Sequence, residues 1–316
     1  MRHLHRSFSS IAAALAALAA FALAIPAARA ADEPKRGSIR VAYEVPKDQS
    51  LQSTYDMVKE RNCLEMIQEI FSPFKLPEDL YIKMVPCDGI PNAYFFREGD
   101  VPTIRICYEF LQQLYQMMPK DKTVEGITAQ EALVGQLLFA VAHEFGHAAF
   151  DIYNIPVFGR QEDAADQFAT YFLLQFGGER AHQLIWGASY MYDEFVKLLQ
   201  DKTRKATKVT LPVLAFSSDH GAPEERFYNL VCIAYGYDPK LFAGAVDKKY
   251  LPSTRAKVCE LEYKNLRYAV KTHINPHIDQ ALAQKVIDTG FSPASDPPAP
   301  AKGAPQAAKG APRGAK

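Results

Sequence analysis

The sequence is short of most features that would mark a specialised chain. Its 316 residues hold only five cysteines, too few for a disulfide-scaffold miniprotein, and the nearest two are twenty residues apart, so there is no Cys-x-x-Cys zinc knuckle. Neither charge is in excess, with 36 Lys+Arg against 36 Asp+Glu. That balance lacks the clustered basic footprint that phosphate neutralisation requires, which argues against nucleic acid as a partner. No internal repeat is visible, and no apolar run reaches the roughly twenty residues a membrane-crossing helix needs. What is present, 48% apolar and 23% charged residues, excludes a disordered chain. The length allows one large or two modest domains, able to bury a core without metal or disulfide staples.

Both ends differ from the middle. Arg2 and Arg6 precede an Ala/Leu-rich run from Ile11 to Ile25, and Ala28-Arg29-Ala30 supplies the small residues a signal peptidase reads. Residues 1–30 are therefore expected to be a cleavable signal peptide, making the mature protein periplasmic or secreted, with no stable membrane span after signal removal. From Ser292 to Lys316 the chain is an Ala/Pro/Lys/Gly tail with no apolar side chain larger than proline, expected to be disordered. Setting both ends aside leaves residues 31–291 mildly acidic, with 29 basic against 35 acidic residues. Export to an oxidising compartment makes disulfides possible. The odd cysteine count leaves at least one unpaired, and spacing alone does not fix connectivity. The pairing favoured is Cys87 with Cys107 across a strand pair and Cys232 with Cys259 between helices.

Within residues 31–291, Ser38 to Val45 alternates as a strand should, and Leu51 to Phe74 carries apolar residues at helical spacing. Asp79 to Val85 alternates again. Asn92 to Phe96 and Thr103 to Tyr108 flank an Arg-Glu-Gly-Asp turn, which predicts a hairpin. Thr128-Ala-Gln-Glu131 is a capping box that opens a helix to about Phe150. Further helices are expected over Gln161–Phe176, Glu179–Leu199, Pro223–Tyr235 and Thr254–Val270. The expected fold is α+β, a small antiparallel sheet packed on a mostly helical domain. Its sheet-rich lobe spans about 38–110 and its helical lobe about 125–291.

The long helix contains His143-Glu144-Phe145-Gly146-His147. Histidines four apart lie one turn above the other on one helix face, so both imidazoles reach one metal ion, and Glu144 stands beside its open position. Three protein ligands with an open position and a neighbouring carboxylate are the make-up of a catalytic zinc site. Fifteen residues on, Glu162 and Asp166 are again four apart. Glu162 can be the third ligand, with Asp166 accepting a hydrogen bond from a ligand histidine's other N–H. Asp151 and Asp163 are rival third ligands. Gly146, Ala148, Ala149, Ala164 and Ala165 are small enough to let the two helices pack closely. His273 and His277 are also four apart, but Pro276 lies between them and no carboxylate motif follows, so a solvated segment is the better reading. His182, on an amphipathic helix, reads as structural.

With His143-x-x-x-His147 and Glu162-x-x-x-Asp166 the chain resembles the gluzincin metallopeptidases, in which HExxH and ExxxD on consecutive helices make the zinc site. Pro91-Asn92-Ala93-Tyr94-Phe95, with the strand after it, is similar to the edge segment of the heat-shock-protease and prenyl-protease branch. Asp219-His220 through Arg226 is similar to that branch's Thr-His-Pro…Arg segment, although Gly221 stands where the branch has proline. The branch is membrane-embedded and this chain is not, so its substrates do not carry over. The stretch from about 40 to 270 resembles a family of uncharacterised, exported bacterial proteins described as putative metallopeptidases. These resemblances imply a zincin-like domain with one Zn2+ held by His143, His147 and Glu162, and Glu144 as general base. They also imply His220 as the oxyanion partner, with Tyr228 and Tyr153 behind it, and Asn92 and Ala93 as binders of an extended peptide or protein substrate. Arg226 either orients a carboxylate of the site or serves only its own helix.

The function expected is an exported zinc metallopeptidase. Two other readings keep the zinc. One is a non-catalytic binding or adaptor protein, against which an intact Glu144 argues, because a structural site needs no base there. The other is a zinc amidase acting on cell-wall peptides.

Overall fold

The computed structural model describes residues 36–204 and 220–289. The expected signal peptide, the tail and Asp219 lie outside the described residues. Strands β1 (Ile39–Tyr43) and β2 (Leu80–Val85) form where the alternating pattern predicts them. On β2, Leu80, Ile82 and Met84 are fully buried while Tyr81 and Lys83 between them are half-buried, as the two-residue period of a strand requires. Between the strands the chain makes helices α1 (Gln52–Glu60) and α2 (Cys63–Phe71). This is a helical crossover, so β1 and β2 pair in parallel, with Ile39 opposite Leu80.

The hairpin of β3 (Ala93–Glu98) and β4 (Val101–Cys107) is antiparallel, and its tight turn contains Gly99 at φ 64°. β4 inserts beside β2 in parallel, giving the order β1-β2-β4-β3. The expected antiparallel sheet is therefore mixed: three parallel strands with β3 alone running against them at an edge. Alternation reports which face of a strand is buried and carries no information on direction, which the crossover sets. The single helix expected over Leu51–Phe74 is two, because Asn62 adopts a left-handed φ of 51° between them, a conformation asparagine tolerates better than most residues.

Helix α3 (Tyr108–Met117) follows β4 directly, and α4 (Ala129–Ile152) then runs through the middle of the fold. The capping box is present as predicted. Thr128 Oγ1 accepts from the Glu131 N–H, and the Glu131 carboxylate accepts from the Thr128 N–H at 2.7 Å. The later helices are α5 (Gln161–Leu174), α6 (Gly178–Arg204), α7 (Pro223–Tyr237), α8 (Gly244–Asp247), α9 (Ser253–His273) and α10 (Gln280–Thr289). The chain is α+β, and its described residues from Gly37 onward belong to one compact unit.

Two close crossings fix α4. Against α6, a Cβ on Gly187 would stand 2.3 Å from the Glu131 carbonyl oxygen, so only glycine fits. Against α5, Gly146 faces Ala165 and Phe168, and a Cβ there would lie 3.3 Å from the Ala165 Cα. Phe145, Phe71 and Phe172 stack beside that crossing at centroid distances of 4.3 and 4.7 Å, joining α2, α4 and α5 in one aromatic layer. Disulfides join Cys87 to Cys107, tying the loop before β3 to the end of β4, and Cys232 to Cys259, tying α7 to α9. Cys63 is the free cysteine.

Candidate metal centre and active site

Helices α4 and α5 meet where both carry small residues, and this brings the two motifs together. His143 Nε2 lies 3.1 Å from His147 Nε2 and 3.0 Å from Glu162 Oε2, and His147 Nε2 lies 3.3 Å from the same carboxylate oxygen. A tetrahedral shell with bonds of about 2.0–2.1 Å has edges of about 3.3 Å. The three donor atoms thus form a triangle of the size zinc coordination needs, built from the imidazole and carboxylate ligands zinc accepts.

The outer contacts fix the ring orientations. His143 Nδ1 donates to Asp166 Oδ1 at 2.7 Å, which leaves Nε2 as the free lone-pair donor facing Glu162 and His147. Asp166 is held in turn by Arg226, whose Nε and Nη2 donate to its two oxygens at 2.7 and 2.6 Å. Of the two roles open for Arg226, orienting a carboxylate of the site is the one its contacts match. The guanidinium also lies over the ring of the buried Tyr192, 4.9 Å from its centroid. His147 Nδ1 is 3.0 Å from Gln161 Oε1, so an amide positions the second ring. The sequence reading missed Gln161. Its position directly before Glu162 was a usable signal, since a first-turn residue of α5 faces the same helix.

The charges also suit a dication. Glu144, Glu162 and Asp166 bring three carboxylates and Arg226 one positive charge, leaving two negative charges when the histidines are neutral. Without a metal the site attracts protons instead. Burial would push the His143 imidazole down, but its hydrogen bonds to Asp166 and Glu162 outweigh burial and raise it to about 9. Burial likewise works against an ionised Glu162, yet hydrogen bonds from His143, His147 and His220 hold its carboxyl well below the usual range. Asp166 is lowered too, its burial being outweighed by His143 and Arg226.

Glu144 is buried, and burial raises its carboxyl above the ordinary value. The Phe95 backbone on β3 lies near enough to that carboxyl to offset part of the effect of burial. The Cys107 N–H donates to the Asn92 carbonyl at 3.0 Å. By the alternation of an antiparallel ladder, Asn92, Tyr94 and Phe96 therefore turn their backbone groups toward β4, while Ala93 and Phe95 turn theirs to the open edge. The predicted pair is thus divided. Ala93 offers backbone groups at the edge, whereas the Asn92 carbonyl is already taken by β4, because a hairpin residue's N–H and C=O point the same way.

A cavity of about 380 Å³ joins these parts, with Asn92, Ala93, His143, Glu144, His220 and Arg226 among its lining residues. His220, just before α7, places Nε2 2.8 Å from Glu162 Oε2, and its ring stacks against that of His143 at 5.9 Å. His143, Glu162 and His220 form a further group whose donor atoms lie within 4.8 Å of one another. The rival ligands are engaged elsewhere, Asp151 with Arg97 at 2.7 Å and Asp163 with Arg160 at 2.9 Å. Tyr153 stacks on His277 at 3.9 Å, which separates His277 from any histidine pair. Neither Tyr153 nor Tyr228 lines the cavity. His182 stacks on Phe242. No helix among the described residues is long and apolar enough to cross a membrane.

The profile of a protein family described as "Putative metallopeptidase" matches residues 43–273, a stretch that takes in every residue of the site. No curated protein and no solved structure matches the chain.

Proposed function

We propose, from the premise that this chain belongs to the family of putative metallopeptidases, that it is an exported zinc peptidase with Glu144 as its general base. The observation that carries the reading is the triangle of His143, His147 and Glu162 donor atoms opening on a cavity beside a buried carboxylate. His143, His147 and Glu162 would hold the ion. Zinc in such a site polarises a scissile carbonyl and lowers the pKa of a water to about 7.

The chain's own residues would do the rest. Glu144 would take the proton of the attacking water and hand it to the leaving amine. Burial raises its carboxyl above the ordinary value, which favours its accepting a proton. The Phe95 backbone lies near that carboxyl, so the base neighbours the strand that would align substrate. An extended peptide would pair with the open edge of β3 at Ala93 as an added strand. His220, beside Glu162 at the cavity wall, is placed to donate a hydrogen bond to the oxygen that gains charge. Asp166 with Arg226, and Gln161, would hold the two ligand imidazoles in the tautomer the ion requires.

Export is supported by the two disulfides, which belong to an oxidising compartment, and by the N-terminal pattern of Arg residues, apolar run and small residues. The short contact of His220 with Glu162 favours one second reading, in which His220 closes the site as a fourth protein ligand and the centre is structural. The test is cleavage of a quenched peptide library by residues 31–316. Activity that is lost to a chelator and restored by zinc supports the peptidase. A protein that holds zinc and cleaves nothing supports the closed, non-catalytic centre.

A further inference from the structure

The cavity extends well beyond the metal ligands, and the helix that carries them also builds its wall. Gln136, Ala140 and Glu144 follow one another at four-residue spacing on α4, so they share a face. Eight residues along a helix span about 12 Å, so the cavity reaches roughly two turns from Glu144 to Gln136. The rings of Phe110, Phe139, Tyr192 and Phe195 line the same cavity. Edge-on contact between Phe139 and Tyr192, with centroids 5.7 Å apart, makes two of these rings one continuous wall.

One polar group interrupts this aromatic lining. Gln136 is only 4% exposed, and its side chain lies near the Tyr192 hydroxyl. Its Oε1 has no hydrogen-bond partner among the described residues and is an unmet acceptor. Buried acceptors without partners are uncommon in native proteins, because water is lost without replacement. Here the unmet acceptor belongs to a residue of the cavity wall, surrounded by rings suited to an aromatic guest.

We infer that this pocket selects a tyrosine side chain flanking the scissile bond, its ring held among Phe110, Phe139, Tyr192 and Phe195 and its hydroxyl donating to Gln136 Oε1. The inference rests on the peptidase reading for its setting, but the pocket's preference can be measured without turnover. A phenylalanine in the same place fills the aromatic space and leaves the acceptor unmet, so discrimination between tyrosine and phenylalanine is the signature. A leucine lacks the ring as well and should rank third.

The experiment uses alanine-based peptides that differ at one position, Tyr, Phe or Leu, with the cut located by mass spectrometry. The wild type should cleave beside Tyr with kcat/KM about tenfold above Phe, the ratio expected when one buried hydrogen bond is made or missed. In Gln136→Met, which keeps length and removes the acceptor, the ratio should fall to within about twofold of unity. The same peptides are titrated onto Glu144→Gln and onto the Glu144→Gln, Gln136→Met double variant. Tyr should bind about tenfold tighter than Phe to the first and equally to the second. Tyrosine-selective binding with no cleavage of any peptide by the wild type would refute the peptidase and leave the pocket standing. Cleavage or binding with Tyr and Phe equal in the wild-type pocket would overturn the inference and assign Gln136 Oε1 to water. Because the wild-type ratio decides the matter, a poorly folding Gln136→Met does not remove the test.

Discussion

Replacing Asp166 by asparagine separates two roles that one carboxylate performs here. The amide oxygen of the new side chain would keep an acceptor near His143 Nδ1 but lose the negative charge that makes the 2.7 Å contact strong. Outer partners of metal-bound histidines typically account for about 10- to 100-fold in metal affinity, so Asp166→Asn should weaken zinc binding by about 1.4–2.8 kcal/mol. The substitution also strands Arg226. Its paired nitrogens lie 2.6 and 2.7 Å from the carboxylate, and the two side chains are only 19% and 14% exposed. Breaking a buried pair on one side costs about 3–5 kcal/mol, and the residual exposure here argues for about 3. Asp166→Asn should therefore lose about 3 kcal/mol in urea unfolding of the metal-free protein. The double variant Asp166→Asn, Arg226→Met should recover most of that stability and none of the zinc affinity, measured by chelator competition. Zinc affinity in Asp166→Asn within about threefold of wild type would refute the claim that Asp166 orients His143 for a metal.

Other consequences can be tested separately. In the metal-free protein, His143 is raised to about 9, so the stability it contributes is present below about pH 6.5 and lost as pH rises through 9; unfolding of the apo protein at pH 6 and 9.5 should show the loss. Because a metal must displace that proton, zinc affinity should rise by about tenfold per pH unit across the same window, which chelator competition at three pH values would read. Removing the Cys87–Cys107 bridge opens a loop with a sequence separation of 20 and should cost about 3 kcal/mol; because the bridge holds the loop ahead of Ala93, KM for peptides should rise more than kcat falls. Gly187→Ala should lower stability by about 2–3 kcal/mol in thermal unfolding, since its Cβ would meet the Glu131 carbonyl oxygen at 2.3 Å and backbone must move.

How much of this could be read from the chain depends on whether the determinant is local. The capping box at Thr128, the i,i+4 pairs His143/His147 and Glu162/Asp166, and the small residues at Gly146 and Ala165 are statements about one helix face, and helix geometry turns them directly into a site. Sheet direction was not legible, because β1 and β2 look alike whichever way they run and the crossover through α1 and α2 decides. Helix α3 went unnoticed because Tyr108–Met117 begins inside the apolar run that ends β4, with no breaker between them. Helix α10 lies beyond the last strong pattern and buries none of its residues fully. The links from Arg226 to Asp166 and from Gln161 to His147 join residues 60 and 14 apart, contacts that no periodicity encodes. The unmet acceptor on Gln136 is a property of packing, visible only once the cavity is in place.

In the proposed function Glu144 is a base working beside a metal, rather than a buried carboxylate in a structural centre. The direct measurement is peptide cleavage by the wild type and by Glu144→Gln, with zinc quantified in both. Equal zinc, near one ion per chain, is expected, with a loss of at least about a hundredfold in kcat for the variant, the lower range for a general base. Equal zinc with equal cleavage, or zinc in both and cleavage in neither, would contradict it.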